Sequence, residues 1–403
     1  MREVQIRSER LITSMAVVLT LVITLALVAT PPAQAQTFTL LYTFTGGADG
    51  GFPYAGLVQD TAGNLYGTTS QGGSGLFDCP TGCGVVFKLD SAGNETVLHS
   101  FGKTGTDGEY PMYGSLFRDG AGNLHGTTGF GGAHGSGTIF RVDTTGKETI
   151  SSFRGAAKGG FPYAGLVPDA AGNVYGTTFF GGSGCPPYGC GTVFKVNSAG
   201  KETVLYSFTG KPDAEYPYAG LVRDSAGNLY GTTINGGATG WGTVFKVNST
   251  GKETVLYSFT GGADGGNPYG TLLGDRAGNL YGTTASGGTS GSGTVFKVSS
   301  SGAETVLYGF TGGVDGGNPC ANLVRDRTGN LYGTTPYGGT SGNGTVFKVS
   351  PSGMETVLYS FSGGTDGAQP YDGLVRDTAG NLYGTALGGN GPGYYGTVWK
   401  LTP

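Results

Sequence analysis

Three kinds of side chain in this sequence could carry chemistry: 27 acids, three histidines and five cysteines among 403 residues. Most of the acids follow a pattern. Asp60, Asp119, Asp169, Asp224, Asp275, Asp326 and Asp377 each stand four residues before the asparagine of a Gly-Asn pair. A carboxylate there accepts backbone N–H groups while glycine supplies positive φ, which is turn chemistry. Glu95, Glu148, Glu202, Glu253, Glu304 and Glu355 each open an apolar run, and are expected to face solvent on an outermost strand, where charge protects an edge. Asp49, Asp107, Asp213, Asp264, Asp315 and Asp366 sit in glycine-rich stretches. There they either cap loops or form a ring that could hold calcium through oxygens; the third such stretch has Lys158 and no aspartate. Asp90 and Asp143 belong to a second turn, and Glu3 and Glu9 to the leading segment.

Asp78, Glu109, Glu215 and Asp372 alone remain outside the pattern. Two carboxylates can hydrolyse a glycosidic bond, so a hydrolase reading would use Glu109 and Glu215, which share a Glu-Tyr-Pro context. Their equivalence in two repeats favours a common loop role, and no catalytic residue is assigned. His99, His125 and His134 are too scattered to announce a metal cluster, and the first two replace repeat tyrosines. There is no nucleophile elbow, phosphate loop or zinc signature, and Gly-x-Gly strings mean little among 83 glycines. Cys79 with Cys83 and Cys185 with Cys190 read as two disulfide-closed loops; a four-thiolate metal site is the alternative. Cys320 takes a place where five sister repeats have tyrosine, and is expected to be a buried free thiol.

The elements that must hold these groups follow from repetition. Gly-Asn-Leu-Tyr-Gly-Thr-Thr or a near variant recurs at Asn64, Asn123, Asn173, Asn228, Asn279, Asn330 and Asn381. Within one copy, Tyr218 to Val222, Leu229 to Thr233, Gly242 to Val247 and Glu253 to Phe259 are apolar runs between turn residues. Four antiparallel strands in about fifty residues, seven times over, predict an all-β chain, a seven-bladed β-propeller. Glycine at this density excludes a long helical protein, whereas 23 Tyr and 21 Phe exclude disorder. A net charge of -4 offers no field for nucleic acid. Thr37 to Phe44 matches a fourth strand and Gly396 to Leu401 a third, so one blade should be built from both chain ends.

Residues 1–35 differ from the rest. Arg2, Arg7 and Arg10 precede an apolar run from Leu11 to Ala29 and an Ala33-Gln34-Ala35 site, which reads as a secretory signal peptide cleaved before Gln36. An uncleaved anchor is the alternative. The expected organisation is a signal peptide, 1–35, and a propeller, 36–403, secreted or periplasmic.

The text Leu229 to Thr233 followed by Gly242 to Val247 resembles the extracellular tandem repeats called GloVer or Gloeo-Verruco repeats, over essentially all of residues 37–403. That resemblance implies extracellular display on varied anchors rather than a shared reaction. Many members are expected to carry a carboxy-terminal sorting segment, and the text before Pro403 shows none.

Antiparallel order puts the long second-to-third and blade-to-blade connections on one face, where a ligand is expected. Phe77, Phe130, Phe179, Phe180, Tyr188, Trp241, Tyr337, Tyr394 and Tyr395 lie in the variable second-to-third loops. Trp241, Tyr188, Tyr337 and Tyr395 are the chosen ligand residues; otherwise such rings cap blade cores. The reading is a binding or scaffold module for an extracellular glycan or protein, acting as a monomer, with no nucleic acid, no membrane after signal cleavage and no cofactor except calcium. The alternative is a polysaccharide-degrading propeller, a hydrolase or lyase, using carboxylates on that face.

Overall fold

Each repeat folds into a four-stranded antiparallel sheet, and seven such sheets form a β-propeller. The computed structural model describes residues 36–75, 78–388 and 393–402, so the signal-peptide segment and Phe77 lie outside the described residues. In blade four the strands are Val222–Arg223, Leu229–Thr233, Thr243–Val247 and Glu253–Ser258. The first is shorter than its apolar run because the chain from Tyr218 onward bonds to neighbouring blades: Gly220 N–H donates to Thr271 Oγ1 at 2.9 Å. Blade seven joins Val375–Arg376, Leu382–Ala386 and Thr397–Thr402 to Thr37–Thr43 from the other end of the chain. That closure hides two sheet edges that would otherwise be free to pair.

The repeat text has a packing reason at nearly every letter. Gly231 and Phe245 face each other across strands two and three, and a Cβ on Gly231 would come 2.7 Å from Cζ of the ring. Glycine is therefore required beneath the phenylalanine. The same ring meets Phe208 of the preceding blade, centroids 5.0 Å apart. Phe44 with Phe87, Phe101 with Phe140, Phe259 with Phe296 and Phe361 with Trp399 repeat this contact around the ring. Edge-to-face pairs of this kind add about 1 kcal/mol beyond the area they bury. Thr233 and Thr243 hydroxyls share a bond of 2.8 Å across the same strands. Asp224 accepts Asn228 N–H, Asn228 Nδ2 and the Tyr230 hydroxyl at 2.8, 2.7 and 3.1 Å, which explains the spacing of Asp, Asn and Tyr in the motif. Although burial alone would raise such a carboxyl, these bonds hold the equivalent Asp169 down near about 2.

The strand-four glutamates depart from expectation. They are half-buried rather than solvent-facing, and Oε1 of Glu95, Glu148, Glu202, Glu253, Glu304 and Glu355 is buried without a hydrogen-bond partner. The fourth strand is outermost in its own sheet, but its first residue is covered by the preceding blade. Burial, with Asp49 adding to it, pushes Glu95 up to about 7; burial with Asp213, Asp264 and Asp315 does the same to Glu253, Glu304 and Glu355.

Both cysteine pairs form disulfides, each with Cα atoms 5.3 Å apart. Such bonds fit a non-cytoplasmic location. Cys320 is a free thiol. No helix among the described residues is long and apolar enough to cross a membrane.

Candidate functional site

Seven residue-proline pairs direct the chain toward the propeller axis. Phe52, Tyr110, Phe161, Tyr216, Asn267, Asn318 and Gln369 each precede a proline and take φ between 53° and 59°. For a side chain other than glycine this left-handed conformation costs on the order of 1 kcal/mol or more. It is held by one recurrent bond. The N–H of the pre-proline residue donates to the carbonyl just before the third strand of the preceding blade, as Asn267 does to Trp241 at 2.8 Å and Asn318 to Ser292 at 2.7 Å. Asparagine at two of these places is a residue type that tolerates the geometry.

The turn delivers a tyrosine to the axis from six blades. Tyr54 meets Tyr113 at 5.1 Å and Tyr371 at 6.2 Å; Tyr113 reaches Tyr218 at 5.1 Å; Tyr218 meets Tyr163 at 5.5 Å and Tyr269 at 5.2 Å. The seventh place belongs to Cys320. A thiol where a phenol ring would stand leaves room, and a cavity of about 370 Å³ opens there. It is lined by Tyr54, Tyr113, Tyr218, Tyr269 and Tyr371, by Asn318, Asn322, Thr271 and Asp372, and at its rim by Tyr337. That volume lies at the lower end of sites that take small ligands.

Asp372 stands where blades one, three, four and six carry Ala55, Ala164, Ala219 and Ala321. It is 8% exposed and accepts from Gly56 N–H, from Gly373 N–H at 2.5 Å and from Ser115 Oγ at 3.4 Å. Burial pushes it up to about 6 against those bonds. Burial, then Asp372, pushes the Cys320 thiol up to about 12, so it is a poor nucleophile near neutral pH. Burial also holds the Tyr218 and Tyr371 hydroxyls well above the ordinary range. The cavity therefore presents neutral hydroxyl donors, aromatic faces and one pinned carboxyl.

Of the four chosen ligand residues, Tyr337 is at this cavity, its hydroxyl 2.6 Å from that of Tyr371. Trp241 and Tyr395 lie instead over the inter-blade turns: a Cβ on Gly261 or on Gly46 would overlap the indole or the phenol ring. Tyr188 is 71% exposed beside Phe180. Tyr394 lines a second cavity of about 240 Å³ with Phe52, Tyr54 and Gln369. Glu109 and Glu215 sit in two-stranded ribbons of different blades, paired with Phe130 and Asn235, and neither lines the axial cavity. The six inter-blade aspartates are engaged locally. Asp264 accepts Thr260 N–H at 2.8 Å, the Thr260 hydroxyl at 2.5 Å and the Tyr257 hydroxyl at 2.9 Å; Asp49, Asp213, Asp315 and Asp366 repeat the tyrosine bond. Asp107 has no tyrosine and accepts Lys103 N–H and Gly108 N–H instead.

Two features were not recognised in the sequence. Five of the axial tyrosines were visible as Pro-Tyr in the blade-to-blade text and the sixth, Tyr113, as Pro-Met-Tyr, but nothing local says that they meet. The histidines are scattered in the sequence, but the fold brings His99 together with Asp107 and Glu148, which come from two blades and the loop between them.

The sequence matches the family described as Gloeobacter/Verrucomicrobia repeat over residues 27–186 and 169–399. No curated protein matches it. Among solved structures, a fungal alcohol oxidase of the AA5 family in complex with copper is similar at 13% identity and a TM-score of 0.61, covering 92% of this chain and 77% of that one. A puromycin hydrolase mutant is similar at 11% identity and a TM-score of 0.54, covering 85% and 51%. A gluconolactonase from Xanthomonas campestris, at 13% identity, covers 91% and 89% with a TM-score of 0.46, too distant to carry an argument. At such identities the likeness shows the fold alone.

Proposed function

The chain belongs to the Gloeobacter/Verrucomicrobia repeat family, and on that footing we propose that it is a secreted binding module taking a glycan unit in the axial cavity. The observation that carries this reading is the tyrosine-lined space beside Cys320. Tyrosine faces stack on the apolar faces of sugar rings, and the phenol, Asn318 and Thr271 groups suit sugar hydroxyls. Hydrolysis of a glycosidic bond ordinarily uses two carboxyl groups flanking it, whereas among the described residues Asp372 is the one carboxyl in the lining and its oxygens are occupied by Gly56, Gly373 and Ser115. Export is supported by the basic and apolar start of the sequence and by the two disulfides.

A glycan array followed by calorimetry on the purified protein tests the reading. The expected result is saturable binding, weakened at least tenfold in Tyr337→Ala, whose ring is 42% exposed at the rim and whose loss leaves the blade cores intact. Binding indifferent to that change, or release of reducing sugar from a bound polysaccharide, would overturn it.

A further inference from the structure

Six of the seven blade interfaces carry an aspartate in the connecting loop, and in five of these the fourth-strand side chain facing it is a tyrosine. The hydroxyl donates to the carboxylate at 2.9 to 3.1 Å. Between blades one and two that tyrosine is replaced by His99, at the register position that Tyr206 occupies in blade three. The imidazole does not repeat the tyrosine bond here. Its Nε2 is 3.4 Å from Oε2 of Glu148, the side chains are 9% and 11% exposed, and neither His99 Nε2 nor Glu148 Oε1 has a hydrogen-bond partner. Asp107 completes the group, held by two backbone N–H donors. One donor atom from each of the three lies within 4.8 Å of the others. Among the described residues no lysine or arginine forms an ion pair with either carboxylate, and Lys103 is the cation in the neighbourhood.

In this nearly dry interface two carboxylates lie side by side, Glu148 against Asp107, and His99 Nε2 and Glu148 Oε1 are left without a hydrogen bond, a need that a divalent cation meets. We propose that His99, Asp107 and Glu148 form a site for a divalent transition metal, zinc by its donor chemistry, which clips the first blade to the second. A ring nitrogen selects against calcium and magnesium, which take oxygen ligands. Donors at about 2.0–2.2 Å from zinc lie roughly 3.4 Å apart, so the group closes by a rotation of the Glu148 side chain, whose Oε1 is unengaged. Asp107 is fixed by its loop, so His99 and Glu148 move toward it. Because the ligands come from two adjacent blades, the ion cross-links them, and with three protein donors water takes the fourth position of the tetrahedron.

The test uses the tag-free full chain stripped with EDTA. Calorimetry with zinc chloride near pH 7.5 is expected to give one equivalent per chain, cobalt to give visible absorption bands in the same stoichiometry, and zinc to raise Tm by a few degrees. His99→Tyr restores the arrangement of the sister interfaces, so it should fold and lose both the binding and the cobalt spectrum. Glu148→Gln gives the same readout should the first variant fail to fold. No stoichiometric binding to the stripped protein, or equal binding in both variants, overturns the proposal.

Discussion

The half-buried glutamates make the propeller more stable in mild acid than in mild alkali. Glu95, Glu253, Glu304 and Glu355 are each carried from the ordinary 4.5 to about 7, by burial first and then by the facing Asp49, Asp213, Asp264 and Asp315; the hydroxyls of Tyr42, Tyr206, Tyr257 and Tyr308 face the same groups. The folded protein thus holds protons that the unfolded chain releases. Their stabilisation is complete below about 4.5 and is lost as pH rises through about 7. At full value each carboxyl is worth about 3 kcal/mol. Contact with water reduces that to about 1 kcal/mol apiece, or about 4 kcal/mol for the set. For a chain of this size the loss lowers Tm by about 5 °C between pH 5 and pH 8. Asp372, raised to about 6, acts in the same direction, while His99, held below its usual value by burial, acts against it as one group. The turn aspartates are held low and titrate beneath this window. The assay is calorimetric Tm at constant ionic strength from pH 5 to pH 8, for the wild type and for the fourfold Glu→Gln variant at these positions. The variant should melt higher than wild type at pH 8 and similarly at pH 5. A wild-type Tm that is flat or rises with pH, or a variant that keeps the wild-type slope, would refute the reasoning.

Three further perturbations separate the parts of the molecule. Cys320→Tyr places in blade six the ring that five sister blades carry, so the protein should fold while any ligand of the axial cavity loses at least tenfold in affinity; calorimetry that finds affinity unchanged would move the ligand elsewhere. Phe44→Ala removes a ring that is 1% exposed and packed at 5.1 Å on Phe87; it should lower unfolding free energy by about 3–5 kcal/mol in denaturant titration, because Phe44 joins blade seven to blade one. Asp224→Ala strips Asn228 and Tyr230 of their acceptor and should cost about 1–2 kcal/mol in the same titration, leaving ligand binding intact.

Much of the molecule was legible as text because it is written seven times. The turn aspartates, the disulfide loops and the shared blade each depend on residues close in sequence or on a repeated phase. The strand-four glutamates misled because burial there comes from the neighbouring blade rather than from the strand's own alternation. Trp241, 42% exposed, and Tyr395 stand apart from the axial cavity because Gly261 and Gly46 of the blade-to-blade turns leave room for a ring to lie over them, a contact between distant segments. The Glu109 and Glu215 contexts were equally conspicuous, yet each belongs to a local ribbon away from the axis.

By itself the sequence determined the repeat, the number and composition of the blades and the way in which the ring closes, since these rest on period, turn chemistry and strand patterning. Tertiary structure alone decided which residues meet. Six tyrosines from six blades converge on the axis, and the cavity exists because the seventh side chain is Cys320. His99, Asp107 and Glu148 converge because adjacent blades stack fourth strand against fourth strand. Neighbours in a repeat are set by short-range turns, whereas a site built across blades depends on closing the ring, and that distance is nowhere encoded in the spacing of one repeat.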